Sequence, residues 1–168
     1  MAIAANDDRV SARRRDAVGL IGFLLPCLAI SGLGGAITAT SVGTWYQGLH
    51  KPAFNPPDWV FAPVWTTLFV LMAIAAWRVW RRRGVIAVRG ALSMFGVQLV
   101  LNLGWSVVFF GLRQIGIALV EVMILLIAVS VTAALFWRIE RLAGLLMVPY
   151  ALWVGYATAL NAALWLLN

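Results

Sequence analysis

The sequence predicts an all-α integral membrane protein, a bundle of five transmembrane helices with its N-terminus in the cytoplasm. Three observations carry this. Of the 168 residues only 11% are charged while 63% are hydrophobic, whereas soluble domains carry about 25% charge, and a water-facing surface cannot be assembled from so few charges. The chain holds five long stretches that are free or nearly free of charge. Each is about the 20 residues needed to cross roughly 30 Å of hydrocarbon. Finally, the 13 Lys and Arg residues fall in short clusters between these stretches.

The first span is Ala17 to Ile37, because no charge occurs between Asp16 and Lys51. Residues 1–16 form a basic N-terminal tail in which Arg13, Arg14 and Arg15 act as a topology signal. A basic stretch before an apolar run can also open a secretory signal peptide. This run is long and lacks a small-x-small cleavage site at its end, so a retained anchor is expected. Gly32, Gly34, Gly35 and Ala36 are expected to pack closely against a neighbouring helix; a phosphate loop would need a preceding strand and, for a P-loop, a following lysine.

The second span is Trp59 to Trp77, bounded by Asp58 and Arg78. The third is Gly90 to Leu112, bounded by Arg89 and Arg113. The fourth runs from about Ile115 to Trp137 and is interrupted only by Glu121, and the fifth from Leu142 to about Leu166. Orientation follows from the basic residues. Arg9 and Arg13 to Arg15 in the tail, Arg78, Arg81, Arg82, Arg83 and Arg89 between spans two and three, and Arg138 and Arg141 between four and five share one side. Only Lys51 and Arg113 lie on the other. The basic side is therefore read as cytoplasmic, in the cytoplasmic membrane of a bacterium, with the C-terminus outside. The same clustering argues against nucleic-acid binding, for which the bases would line one face of a soluble module. Cys27 and His50 are the only residues of their kinds, which excludes an intrachain disulfide and a His/Cys metal cluster.

One connection is long. Residues 40–58, TSVGTWYQGLHKPAFNPPD, hold three of the six prolines and predict an ordered, non-helical outer loop. Of the nine tryptophans, Trp45, Trp59, Trp77, Trp80, Trp137 and Trp165 lie at span ends or in loops, as an interfacial belt requires. Trp65, Trp105 and Trp153 lie inside spans, within reach of the outer half of the bundle beneath the loop.

Gln98, Asn102, Trp105 and Phe109 share one face of the third helix, and Tyr150, Trp153, Ala157 and Asn161 repeat the arrangement on the fifth. Amides should turn away from lipid. Two readings stay open: the amides are interhelical hydrogen-bonding groups with the aromatics as filler, or both faces line a pocket for a flat apolar ligand, with Ala157 leaving room. Glu121, the one acid inside a span, is either a polar ligand contact or proton-coupling group, or a side chain near the helix end that reaches water or pairs with a neighbour.

These residues resemble the TspO/MBR family of tryptophan-rich sensory proteins and translocator proteins, also known as peripheral-type benzodiazepine receptors. The resemblance runs from about Gly19 to the end. It rests on Trp45-Tyr46, Leu49, Lys51-Pro52, Pro56-Pro57, Trp59, Phe61 and Pro63-Val64-Trp65-Thr66, then Gln98, Asn102, Trp105 and Phe109-Phe110-Gly111, and finally Pro149-Tyr150, Trp153, Ala157 and Leu160-Asn161. It implies a five-helix bundle, commonly a homodimer, with a pocket in one half of the membrane closed by the first loop. It also implies binding of porphyrins such as protoporphyrin IX or haem, with no cofactor required. Trp45, Tyr46, Phe54, Trp65, Gln98, Asn102, Trp105, Phe109, Glu121, Tyr150, Trp153, Ala157 and Asn161 are the expected ligand-binding residues.

Some bacterial members promote light-dependent porphyrin degradation, which would give Trp65 and Trp153 a catalytic role. Besides the extra tail over residues 1–16, two departures from the family pattern matter. Phe54 stands where many members have tryptophan, and the C-terminal segment lacks the Tyr followed by Arg or Lys of the proposed cholesterol motif. The first expectation is thus a tetrapyrrole-binding sensory or regulatory protein. The second is a porphyrin photo-oxidase in the same pocket, and the third a small-molecule transporter, for which no energy source is visible.

Overall fold

A computed structural model describes residues 2–85 and 87–168. Five helices carry the chain: α1 (Ala2–Val42), α2 (Phe61–Arg81), α3 (Arg89–Ser106), α4 (Ile115–Ile139) and α5 (Arg141–Leu167). All five are long and apolar enough to cross a membrane. The protein is therefore a multi-pass integral membrane protein whose partner is the lipid bilayer. Helices suit that solvent because each satisfies its own backbone donors and acceptors where water is absent.

Two expected boundaries are corrected at α1. The tail over residues 1–16 is continuous with the helix from Ala2 onward; no glycine or proline interrupts Ala2–Asp16, and its alanines and arginines are strong helix formers. At the other end the helix runs to Val42, so the loop begins after Thr40, Ser41 and Val42. A third correction concerns the helix expected to run to Leu112. Regular α-helix stops at Ser106, and Val107–Gly111 is a π-helical turn closed by the Leu112 N–H donating to the Val107 carbonyl at 2.8 Å. Its wider winding accompanies two consecutive buried rings, Phe109 and Phe110, with centroids 4.8 Å apart.

Tight reversals order the helices. Glu140 alone connects α4 to α5, so these two pack as an antiparallel hairpin. Helix α5 also packs on α2, and α1 packs on α2, α3 and the π turn. The lipid-facing side is legible on α4, where Ile117, Val120, Ile124, Ile127 and Val131 are exposed at the 3-4-3-4 spacing of one helical face. Inside lies a core that includes Met72, Ala76, Phe95, Val129, Phe136 and Met147. A second, smaller cluster of Tyr46, Phe109, Phe110, Ala118, Leu160 and Leu164 sits under the loop.

The basic segments gather at one end of the bundle, where Arg78 pairs with Glu140 and Arg81 with Asp16. At the opposite end, the turn into α4 forces Arg113 to φ 58°, a left-handed conformation that costs a side-chain-bearing residue roughly 1–2 kcal/mol. Arg113→Gly is therefore expected to stabilise the fold by about 1 kcal/mol, read as a rise in the thermal midpoint in detergent; an unchanged or lower midpoint would contradict the assignment of strain to this turn.

Candidate functional site

The long loop is an ordered cap. After α1 come a 3-10 turn, Trp45–Gly48, and a second one, Asp58–Val60, ahead of α2. Three sets of hydrogen bonds hold the segment between them. The Tyr46 hydroxyl donates to Asn55 Oδ1 at 2.7 Å and Gln47 Nε2 donates to Asp58 Oδ2 at 2.6 Å. From α5, the Tyr156 hydroxyl donates to the Phe54 carbonyl at 2.6 Å. Asn168, the last residue, brackets His50: its Nδ2 donates to the His50 carbonyl at 3.1 Å and its Oδ1 accepts from the His50 N–H at 2.9 Å. Burial, together with the negative charge of Asp58, pushes the Tyr46 phenol up to about 12. Tyr46 is thus a neutral hydrogen-bond donor throughout the physiological range.

Two adjoining cavities lie beneath this cap. The larger, of about 290 Å³, is bounded by α1, α2, α3 and the loop. The smaller, of about 20 Å³, reaches toward α5 and is lined by Trp153, Tyr156, Ala157 and Asn161. Tyr46, Phe61, Trp65, Trp105 and Phe110 line both. These shared rings are the partition between the two spaces.

The expected helix faces do converge here. Trp105 Nε1 donates to Asn161 Oδ1 at 3.1 Å, and Asn161 Nδ2 donates to the Ile115 carbonyl at 2.9 Å. Asn102 Nδ2 donates to the Tyr150 hydroxyl at 3.0 Å. Each amide is therefore both a link between helices and a neighbour of the cavity walls. Trp105 stacks on Phe109 with centroids 5.2 Å apart, while Trp65 meets Trp153 edge to face at 6.4 Å. Trp153 Nε1 is buried and has no hydrogen-bond partner among the described residues.

Of the thirteen residues expected at the site, Tyr46, Trp65, Asn102, Trp105, Phe109, Trp153, Ala157 and Asn161 line one or both cavities. The other five do not. Trp45 is half-buried and meets Phe109 edge to face at 5.7 Å, and so supports the wall from behind. Tyr150 is fully buried behind Trp65 and reaches the site through Asn102. Phe54 is 51% exposed and lies against Tyr156 on the loop surface. Gln98 is buried in the main core, its Nε2 3.9 Å from Met72 Sδ. Glu121 stands apart between α4 and α3, facing Gly104, with both carboxyl oxygens buried and unpartnered among the described residues.

Sequence reasoning missed Phe61, Tyr156 and the contribution of α1. Phe61 precedes Trp65 by four residues and Tyr156 follows Trp153 by three, so helical spacing could have found both. Helix α1 gave no such signal, being apolar all round. Its glycines divide: a Cβ on Gly34 would come within 3.2 Å of Ser106 Oγ, the close packing expected, whereas one on Gly32 or Gly35 would meet nothing within 4 Å. Gly34 and Gly35 both border the larger cavity.

Comparison with known proteins agrees with this arrangement. The TspO/MBR family profile matches residues 23–166, from the second half of α1 through the loop, α2, α3 and α4 to the last turn of α5. The chain belongs to the TspO/MBR family. Among its relatives, the tryptophan-rich protein TspO of Chlorobaculum tepidum is 40% identical over 146 residues, covering 84% of this chain and 90% of the relative. Protein CrtK of Rhodobacter capsulatus is 41% identical over 142 residues, 83% and 87% of the two chains. The human translocator protein is 37% identical over 123 residues, 72% and 73%. This TspO/MBR protein thus shares its membrane domain with bacterial and mammalian members alike, and the cavities beneath its loop lie wholly within the matched segment.

Proposed function

We propose that this TspO/MBR protein is a membrane sensory protein that binds a flat apolar tetrapyrrole in the paired cavities beneath the loop, with its basic end in the cytoplasm. The observation that carries the reading is the aromatic partition: Phe61, Trp65, Trp105 and Phe110 border both spaces, so a planar ligand displacing one ring meets others on either face. The larger cavity, about 290 Å³, sits at the small end of the roughly 300–1,000 Å³ range of ligand pockets. A tetrapyrrole therefore needs the partition to open toward Trp153 and Ala157. The unpartnered Trp153 Nε1 would then supply a donor, and Asn102 and Tyr46 would orient the polar edge.

Among the described residues no histidine, cysteine or methionine lines either space. Of the side chains that ligate haem iron only Tyr46 and Tyr156 border the cavities, and both hydroxyls donate to acceptors on the loop, which favours the free-base porphyrin. The second copy expected from the family belongs to the same proposal, with the exposed Gly90 and Ser93 of α3 as a contact between copies; a cross-link between cysteines placed there tests it.

Titration of the purified protein in detergent with protoporphyrin IX, following tryptophan emission and the porphyrin absorption band, tests the binding. Saturable quenching in the dark is expected, weakened roughly 2–10-fold by Trp105→Leu through loss of an aromatic contact worth about 0.5–1.5 kcal/mol, and by a similar factor in Trp153→Phe through loss of the Nε1 donor, a hydrogen bond worth about 0.5–1.5 kcal/mol. Loss of the band under light that depends on Trp65 and Trp153, with binding retained, would instead make the site a photo-oxidase. An absence of saturable quenching would remove the tetrapyrrole while leaving the family assignment intact.

A further inference from the structure

We propose that the arginine-rich end of the bundle holds the headgroup of an anionic, phosphate-bearing lipid in a cavity formed by Arg78, Arg81, Arg82 and Glu140. The cavity has a volume of about 270 Å³ and only these four residues line it. It lies at the opposite end of the bundle from the aromatic site and shares no residue with it.

Its charges do not cancel. Arg78 donates to Glu140, whose side chain is only 11% exposed. Arg81 turns to Asp16 of α1 at 3.2 Å. Arg82 is left 3.8 Å from Glu140, beyond hydrogen-bonding distance, with its side chain 54% exposed. Three guanidinium groups thus face two carboxylates. The buried Arg78 Nε also has no acceptor among the described residues. Planar guanidinium donors without acceptors match the oxygens of a phosphate.

The surroundings favour a lipid over a dissolved ion. Trp77 and Trp80 lie on the same turns of α2; Trp77 Nε1 donates to the Asp16 carbonyl at 2.9 Å and Arg83 covers the Trp80 ring at 3.3 Å. Indoles at a span end mark headgroup level. Exposed Leu142 and Leu145 begin within the first turns of α5 beyond Glu140, and offer apolar surface to acyl chains just below. Basic pockets between transmembrane helices at this depth are suited to anionic headgroups.

The test is native mass spectrometry of the full-length protein in a neutral detergent with dioleoyl phosphatidylglycerol, dioleoyl phosphatidylcholine or inorganic phosphate. A preference for phosphatidylglycerol is expected. Arg82→Gln should weaken it about fivefold, the effect of one basic residue near an anionic headgroup. Arg82→Lys should keep most of it, and Arg138→Gln, an exposed charge at the same end, should change it less than twofold. Equal retention of the two lipids, or equal loss in Arg82→Gln and Arg138→Gln, would overturn the site in favour of diffuse surface charge. Displacement of phosphatidylglycerol by millimolar phosphate would overturn the lipid as the occupant and assign the cavity to the free anion.

Discussion

Gly144→Ala is expected to be the most damaging single-methyl change in this protein, lowering stability by about 2–3 kcal/mol and the thermal midpoint in detergent by roughly 5–10 °C. The reason is geometric. Only Glu140, in an extended conformation, separates α4 from α5, so the first turn of α5 lies directly against the last turn of α4. A Cβ on Gly144 would stand 2.7 Å from Trp137 Cα and 2.9 Å from its backbone nitrogen. These are main-chain atoms that no rotamer change can move. The added methyl must push the two helices apart at their closest point, and the displacement spreads along α5 to Tyr150, Trp153 and Asn161. Gly155→Ala, on the same helix, meets nothing within 4 Å and should be neutral or slightly stabilising through the better helix propensity of alanine. Circular dichroism melts of the two variants side by side make the comparison. If they melt together, the close approach of α4 and α5 is wrong.

The second large effect is expected at Asn161. Its side chain accepts from Trp105 Nε1 and donates to the Ile115 carbonyl, joining α5 to α3 and to the start of α4, and it is 1% exposed. Asn161→Leu keeps the volume but orphans the Trp105 indole donor where water cannot reach it and removes the additional bond to the Ile115 carbonyl, which keeps its helical partner within α4. An orphaned group costs about 1–3 kcal/mol in a protein interior, and interhelical hydrogen bonds in membranes are worth about 0.6–2 kcal/mol, so a loss of about 2 kcal/mol is expected. Trp105→Phe should be milder, and the double variant should cost less than the sum, with a coupling of about 1 kcal/mol. Strict additivity would show that the Trp105–Asn161 bond contributes nothing. Because Trp105 also stacks on Phe109 and borders both cavities, Asn161→Leu should in addition weaken porphyrin quenching, whereas Gly155→Ala should not.

Much of this site was legible before any coordinates. Charge-free runs locate helices because lipid tolerates few charges, and the 3.6-residue period places Asn102 with Trp105, and Trp153 with Ala157 and Asn161, on single faces. That the two faces point to a common interior follows from their amides avoiding lipid; that Trp105 pairs with Asn161 came only with the structure. Gln98 obeys the same period yet packs in the main core beside Met72. Period reports the face of a helix and not the depth at which a cavity begins.

The sequence by itself determined the membrane as solvent, the number of spans and the convergence of two aromatic, amide-bearing faces, since each follows from local composition and periodicity. Only the tertiary structure decided that α1 supplies one wall of the larger cavity, that the π turn at Val107–Gly111 carries two buried phenylalanines under the loop, and that Arg78, Arg81 and Arg82 share one pocket with Glu140. Those features depend on how helices distant in the chain lean on one another, and an apolar helix such as α1, uniform around its circumference, gives no sign of which side its neighbours will take.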